Sequence, residues 1–230
     1  MIQHINTTAG MAAAALAVGL LAGTPAWAQD NAAADAWRYQ LTPYVWMTGL
    51  DGSVRPFRGA PTVTVNKSFS DILDDVDAAA FVNGTARKSS HVLQGDFSYA
   101  ATSDQAALPL GLSAKAKIRQ TSLTMTGGHN WMLSPQSSFD LMAGLRLWQI
   151  KAEVNVPGVG SAQSNTSFVD PVVAARWRYD IAPRWSGLLY ADMGGLDVGS
   201  KFTWQVHASV NYKVKENIFV SVGYLHLSVD

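Results

Sequence analysis

The sequence predicts an all-β protein, an antiparallel up-and-down transmembrane β-barrel of about ten strands, with nine evident and the final one missing from the pattern. Three observations carry this expectation. From Phe202 onward, Phe202, Trp204, Val206, Ala208, Val210 and Tyr212 share one face of a strand, and Thr203, Gln205, His207, Ser209 and Asn211 share the other, because strand side chains alternate with a period of two. Comparable segments recur down the chain, each with an apolar face opposite a polar one, as in strands set between lipid and a polar interior. The links between them mostly alternate in length, as short periplasmic turns and longer external loops do.

Ahead of the first strand, an apolar run from Met11 to Gly23 leads into Ala26, Trp27 and Ala28, an A-x-A cleavage pattern. Residues 1–28 read as a signal peptide cleaved before Gln29, although the first ten carry no Lys or Arg. The run is short for a bilayer span, which takes roughly 20 apolar residues. Residues 29–230 then form a single outer-membrane barrel domain. The chain has no cysteine, which excludes disulfides and thiolate metal sites. Its 17 basic and 17 acidic residues balance, with no long basic run, so no nucleic-acid partner is expected. The partners this reading implies are outer-membrane lipids and the barrel assembly machinery; no cofactor is expected, and the oligomeric state is open.

Candidate strands lie near 37–50, 78–88, 91–102, 114–130, 138–153, 166–180, 185–195, 201–213 and 217–229. Tight polar turns fall at 88–91, 133–138, 181–185 and 213–217, and longer links at 51–77, 103–113 and 154–165. With short turns on the periplasmic side, the first strand runs outward. On 138–153, Phe139, Leu141, Ala143, Leu145 and Leu147 would face lipid, leaving Asp140, Met142, Gly144 and Arg146 inside. Trp148, Gln149 and Ile150 break that alternation, which a bulge or an exit from the hydrocarbon layer would explain. On 91–102, Leu93, Gly95, Phe97 and Tyr99 oppose Gln94, Asp96 and Ser98; on 114–130, Leu123 and Met125 oppose Gln120, Ser122, Thr124 and Thr126. On 166–180, Val169, Pro171, Val173, Ala175, Trp177 and Tyr179 oppose Asp170, Arg176, Arg178 and Asp180. On 185–195, Tyr190 shares its face with Asp192, which is placed inside because a charge facing lipid at mid-depth is costly.

A soluble β-sandwich or lipocalin-like barrel would alternate too, with the apolar face inward. Strand length argues for the membrane, as does the clustering of Trp37, Tyr39, Trp131, Trp177, Tyr179, Trp185 and Tyr212 near the expected periplasmic ends. Nine strands are an odd number, whereas single-chain bacterial barrels have an even one. A truncated reading frame accounts for this better than recruitment of residues 62–69 into the wall, and leaves unpaired edges at the first and last strands. Pro43 fits such a seam, since proline is tolerated mainly on edge strands or at bulges.

The segments Leu41–Val54, Ser68–Asp77, Val169–Trp185 and Gly194–Gln205 resemble a family of small proteobacterial outer-membrane β-barrel proteins of unassigned function. The resemblance covers nearly the whole mature chain. It implies a signal peptide, an antiparallel barrel, an outer-membrane address and a final strand ending in an aromatic residue, and it brings no catalytic residues.

The candidate site is the interior, where Asp96, Asp140, Arg146, Asp170, Arg176, Arg178, Asp180, Asp192 and His207 form a lining of mixed sign. A narrow barrel fills itself with side chains and keeps buried charges paired, which favours a structural role over a selectivity-setting pore. The expected function is therefore a structural or narrow solute-permeable wall element without catalytic activity. In the 51–77 loop, Asp71, Asp74, Asp75 and Asp77 follow Ser70, a reading that gives a capped short helix with an acidic first turn; the glycine and terminal Glu of a calcium loop are absent, so no metal site is expected. The alternative function is a lipid-modifying esterase using His226 and Ser228, whose spacing resembles that in outer-membrane lipid A deacylases in those residues alone. No carboxylate is evident to orient His226.

Overall fold

The computed structural model describes residues 17–22, 36–45, 50–54, 63–67, 76–107, 113–158 and 160–229. Its strands are β1 (Ala17–Ala22), β2 (Arg38–Pro43), β3 (Leu50–Val54), β4 (Val63–Lys67), β5 (Val76–Lys88), β6 (His91–Ala107), β7 (Ser113–Ser134), β8 (Ser137–Val156), β9 (Gly160–Ala182), β10 (Trp185–Gly195), β11 (Phe202–Lys215) and β12 (Ile218–Val229). The nine strands β2 and β5 to β12 curl as one antiparallel up-and-down meander, each hydrogen-bonded to the next. These are the nine read from the sequence.

Closure comes from an unexpected place. β1 lies between β12 and β2, pairing Ala17–Leu20 with Ser221–Ile218 and Leu20–Ala22 with Leu41–Tyr39, so the structure holds a closed barrel. The expectation of two unpaired edges is corrected by a tenth strand drawn from the segment read as a signal. The described part of 62–69, Val63–Lys67, is not in the wall: among the described residues β4 pairs with β3, in a separate two-stranded sheet. Pro43 pairs with Val82 of β5 but lies beyond the residues of β2 that meet β1, so its missing N–H costs no ladder bond at the seam.

Other expectations shift at the loop ends. The 51–77 link is partly strand, since β3 and β4 lie within it and Val76 and Asp77 open β5; residues 70–75, where the capped helix was expected, lie outside the described residues. The 154–165 link is mostly ladder: β8 and β9 stay paired from Ser137↔Tyr179 to Val156↔Gly160. Sequence patterning missed this because residues 161–167 are exposed on both faces and carry no apolar period, whereas backbone pairing needs none. β7, β8 and β9 are 22, 20 and 23 residues long, about twice the 9–11 needed to cross a bilayer. The turns on the opposite side are tight.

No bulge occurs at Trp148. The register runs unbroken through Trp148↔Ser122 and Trp148↔Phe168, leaving Trp148 inside and buried and Gln149 exposed. The strand continues past its apolar section, and a tryptophan fills the interior there. Elsewhere on these strands Leu141, Leu145, Leu147, Val169, Val173, Trp177, Phe202, Trp204 and Val210 are exposed, while Asp140, Arg146, Asp170, Arg176, Asp192, Thr203 and Ser209 are buried. Among the described buried residues, polar and charged types outnumber apolar ones. This is the inverse of a soluble β-sheet protein.

Glycines permit close strand approach at particular points. A Cβ on Gly144 would overlap the Met125 carbonyl oxygen and Thr126 Cα, whereas one on Gly95 would meet nothing within 4 Å. Gly144→Ala is therefore expected to destabilise the barrel by about 1–3 kcal/mol through overpacking, and Gly95→Ala to be neutral or slightly stabilising. Denaturant unfolding of the two variants in lipid vesicles distinguishes them; equal midpoints would refute the steric account.

Candidate functional site

Along β8, inward positions 140, 142, 144 and 146 climb the interior from the tight-turn end. Asp140 and its partners form the lowest layer. Its Oδ2 accepts from Arg176 Nε at 2.7 Å and from Arg87 Nη2 at 2.8 Å, and its Oδ1 accepts from Asn130 Nδ2. Arg176 Nη1 also donates to Gln94 Oε1 at 2.8 Å and to Thr85 Oγ1 at 3.1 Å. Arg176 stands on β9, whereas Thr85 and Arg87 are on β5, which is not its neighbour in the wall. These bonds therefore cross the barrel.

Above this layer lies an apolar one, where Val92, Met142, Ala174 and Tyr190 pack together and Leu188 leans on them. The upper polar layer follows. Arg146 Nη2 donates to Asp192 Oδ2 at 2.6 Å, Arg146 Nε donates to Thr124 Oγ1 at 2.8 Å, and the Tyr190 hydroxyl donates to the same Asp192 oxygen at 2.8 Å. The tyrosine that shares a face with Asp192 is thus both packing and hydrogen-bond donor. At the same level, since it pairs in register with Thr124, Asp96 accepts from Tyr44 Oη at 3.0 Å and Asn83 Nδ2 at 3.0 Å. Arg87 and Arg176 pair with Asp140 and Arg146 pairs with Asp192, whereas Asp96 is met by neutral donors.

The remaining sequence candidates are placed differently. Asp170 is buried, yet its partner is Ser200, whose backbone N–H and Oγ donate at 2.7 and 2.9 Å. The link 196–201 folds inward to reach it, turning through positive φ at Gly195, Leu196 and Asp197. Arg178 is no lumen residue. It lies at the tight-turn end, 44% exposed, and meets Asp180 at 3.5 Å. Its parity is inward, but two further residues toward the turn carry it out of the enclosed section. His207 points inward, half-buried, in register with Tyr190 and Leu225.

His226 and Ser228 lie on the outward face, in register with Val206 and Trp204. The His226 ring packs on Trp204 with centroids 4.6 Å apart. No hydrogen bond joins His226 to Ser228 or to a carboxylate among the described residues, so the geometry of an activated hydroxyl is not assembled. No group of His, Asp or Glu among the described residues is suited to hold a metal ion.

Sequence reasoning missed Arg87, Tyr44, Asn130 and the apolar layer. Arg87 shares inward parity with Asn83 and Thr85 on β5, a signal that was present. Val92 and Met142 gave none, because an apolar residue on a polar face counts only as a pattern defect until its neighbours are known.

Removing Asp140 would strand two guanidinium groups in the interior. Asp140→Ala should destabilise the protein by about 3–5 kcal/mol, and Asp140→Asn by less, as its amide oxygen can still accept. Unfolding midpoints of the two variants test this; equal loss would show that the carboxylate's hydrogen bonds are not what matters.

No protein-family profile matches this sequence, and no curated protein does. Among solved structures, the chain is similar to Ail, the attachment invasion locus protein of Yersinia pestis, with 11% identity, a TM-score of 0.31 and coverage of 95% of this chain and 97% of that one.

Proposed function

We propose that this protein is an integral outer-membrane β-barrel whose interior is braced shut, a structural wall element and not an open pore or an enzyme. The observation that carries this reading is a set of hydrogen bonds between non-neighbouring strands on both sides of an apolar layer, from Arg87 to Asp140 and from Arg176 to Thr85 and Gln94 below it and from Arg146 to Asp192 above it. Water and solutes crossing the interior would have to displace both. The exposed apolar wall supports placement in lipid, because so continuous an apolar exterior around a charged interior has no stable arrangement in water. Rings cluster near the tight turns, including Trp177 with Tyr179 and Trp185 with Tyr212, as an interfacial girdle would. Outer-membrane lipids and the barrel assembly machinery are the partners this role requires.

Export by a signal peptide cleaved before Gln29 belongs to the same proposal. It removes β1. The strands then facing each other across the seam are β2 and β12, which run in the same direction because each is antiparallel to β1. Intact mass of protein from the envelope is expected to begin at Gln29; retention of residues 1–28 would overturn cleavage and leave the ten-stranded wall in place.

In planar bilayers the wild-type protein should show no single-channel steps, and Arg176→Ala combined with Arg146→Ala should produce them by removing the braces to Thr85 and Gln94 below the apolar layer and to Asp192 above it. Steps of equal size in both proteins would overturn the braced reading. Incubation with lipid A should yield no ester hydrolysis; hydrolysis abolished by Ser228→Ala would replace this proposal with the esterase.

A further inference from the structure

The outer wall is not evenly built. On β9 to β12, toward the tight-turn end, two apolar depressions of about 480 and 450 Å³ run together, sharing Val210 and Val222. Gly187 and Ala208 form the floor, bounded by Trp177 and Tyr179 on one side and by Trp185 and Tyr212 at the turn end. Neither packing nor backbone conformation demands the glycine. Its φ lies outside the left-handed region, and a Cβ there would meet Ile181 Cδ1 at 3.7 Å and the Tyr179 carbonyl oxygen at 4.0 Å, ordinary contacts. Gly144 relieves a clash; Gly187 leaves a space.

Charge gathers where this groove reaches the turns. Arg184 Nη1 approaches the Tyr212 hydroxyl at 3.5 Å, and the neighbouring turn carries exposed Lys213 and Lys215 beside Glu216. The aromatic rings sit between the apolar floor and these bases, the level at which Trp and Tyr meet lipid headgroups.

We propose that this groove seats an acyl chain of one anionic phospholipid of the leaflet at the tight-turn end, with Arg184 and Lys215 on its phosphate-bearing headgroup. The inference rests on the membrane reading above. An acyl chain gains little from leaving other acyl chains, so binding comes from van der Waals fit in the groove and from the bases. The headgroup therefore decides selectivity.

The test uses the protein purified from the envelope in mild detergent, offered phosphatidylglycerol and phosphatidylcholine of matched chains in equal amounts, with retained lipid read by native mass spectrometry. One phosphatidylglycerol should be retained with a preference of roughly fivefold or more, the scale set by a single base near the headgroup. Gly187→Leu and, separately, Ala208→Leu should abolish retention, and Arg184→Gln with Lys215→Gln should bring the two lipids to near equality. Gly95→Leu, outside the groove, should change nothing, and heat-dependent gel mobility checks that each variant folds. Equal retention by the wild type, or an undiminished preference in both filled variants, would overturn the site. Tryptophan quenching by brominated acyl chains in vesicles separates the two levels: quenching without lipid preference sinks the groove alone, and absence of quenching sinks the membrane reading.

Discussion

Charge pairing inside a closed wall is the constraint on which the other features depend. Once β strands curl into a narrow cylinder, every second side chain is committed to the enclosed space, and an enclosed charge is tolerable only with a partner. Asp140 meets this need with two guanidinium groups and an amide, Asp192 with Arg146 and the Tyr190 hydroxyl, and Asp96 with neutral donors. Partners are found across the barrel as well as along it. Pairing thus fixes how far opposite walls stand apart, and the width of any passage follows.

The apolar layer gives those pairs their strength. Val92, Met142, Ala174 and Tyr190 separate the Asp140 layer from the Arg146 layer and thin the solvent between them, which raises the energetic stake of each hydrogen bond. Met142 suits the place, since an unbranched thioether adapts to irregular space, and its sulfur lies 3.8 Å from Thr126 Oγ1. Outside, the wall follows a looser rule. No partner strand dictates the height of an outward residue, so glycine at 187 and alanine at 208 can leave a trough where bulk would be equally compatible with the ladder.

The seam is the one place where the wall's logic and the chain's order conflict. Nine strands beginning outward end outward, and only a strand running the other way can join β12 to β2 by antiparallel pairing. β1 does so over a few residues, beside the tight-turn end of β12. Among the described residues, Leu225 and the rest of that strand's far half pair with β11 alone. The long hairpins of β7 to β9 show the opposite situation, with ladders continuing well beyond the apolar section.

How much could be read beforehand follows from the period of two. Parity is local, so alternation alone marks the nine meander strands, their tight turns, the apolar faces of β8, β9 and β11, and the shared inner parity of Asp140, Arg146, Arg176 and Asp192 with their strands' polar residues. Which inward residues meet is settled in three dimensions: Arg87 reaches Asp140, Asp170 takes Ser200 instead of an arginine, Arg178 leaves the enclosure, and in the uncleaved chain Ala17–Ala22 lies between β12 and β2. Each of these depends on curvature and on which strands face one another across the interior. Alternation along a strand carries no information about the residue on the opposite wall.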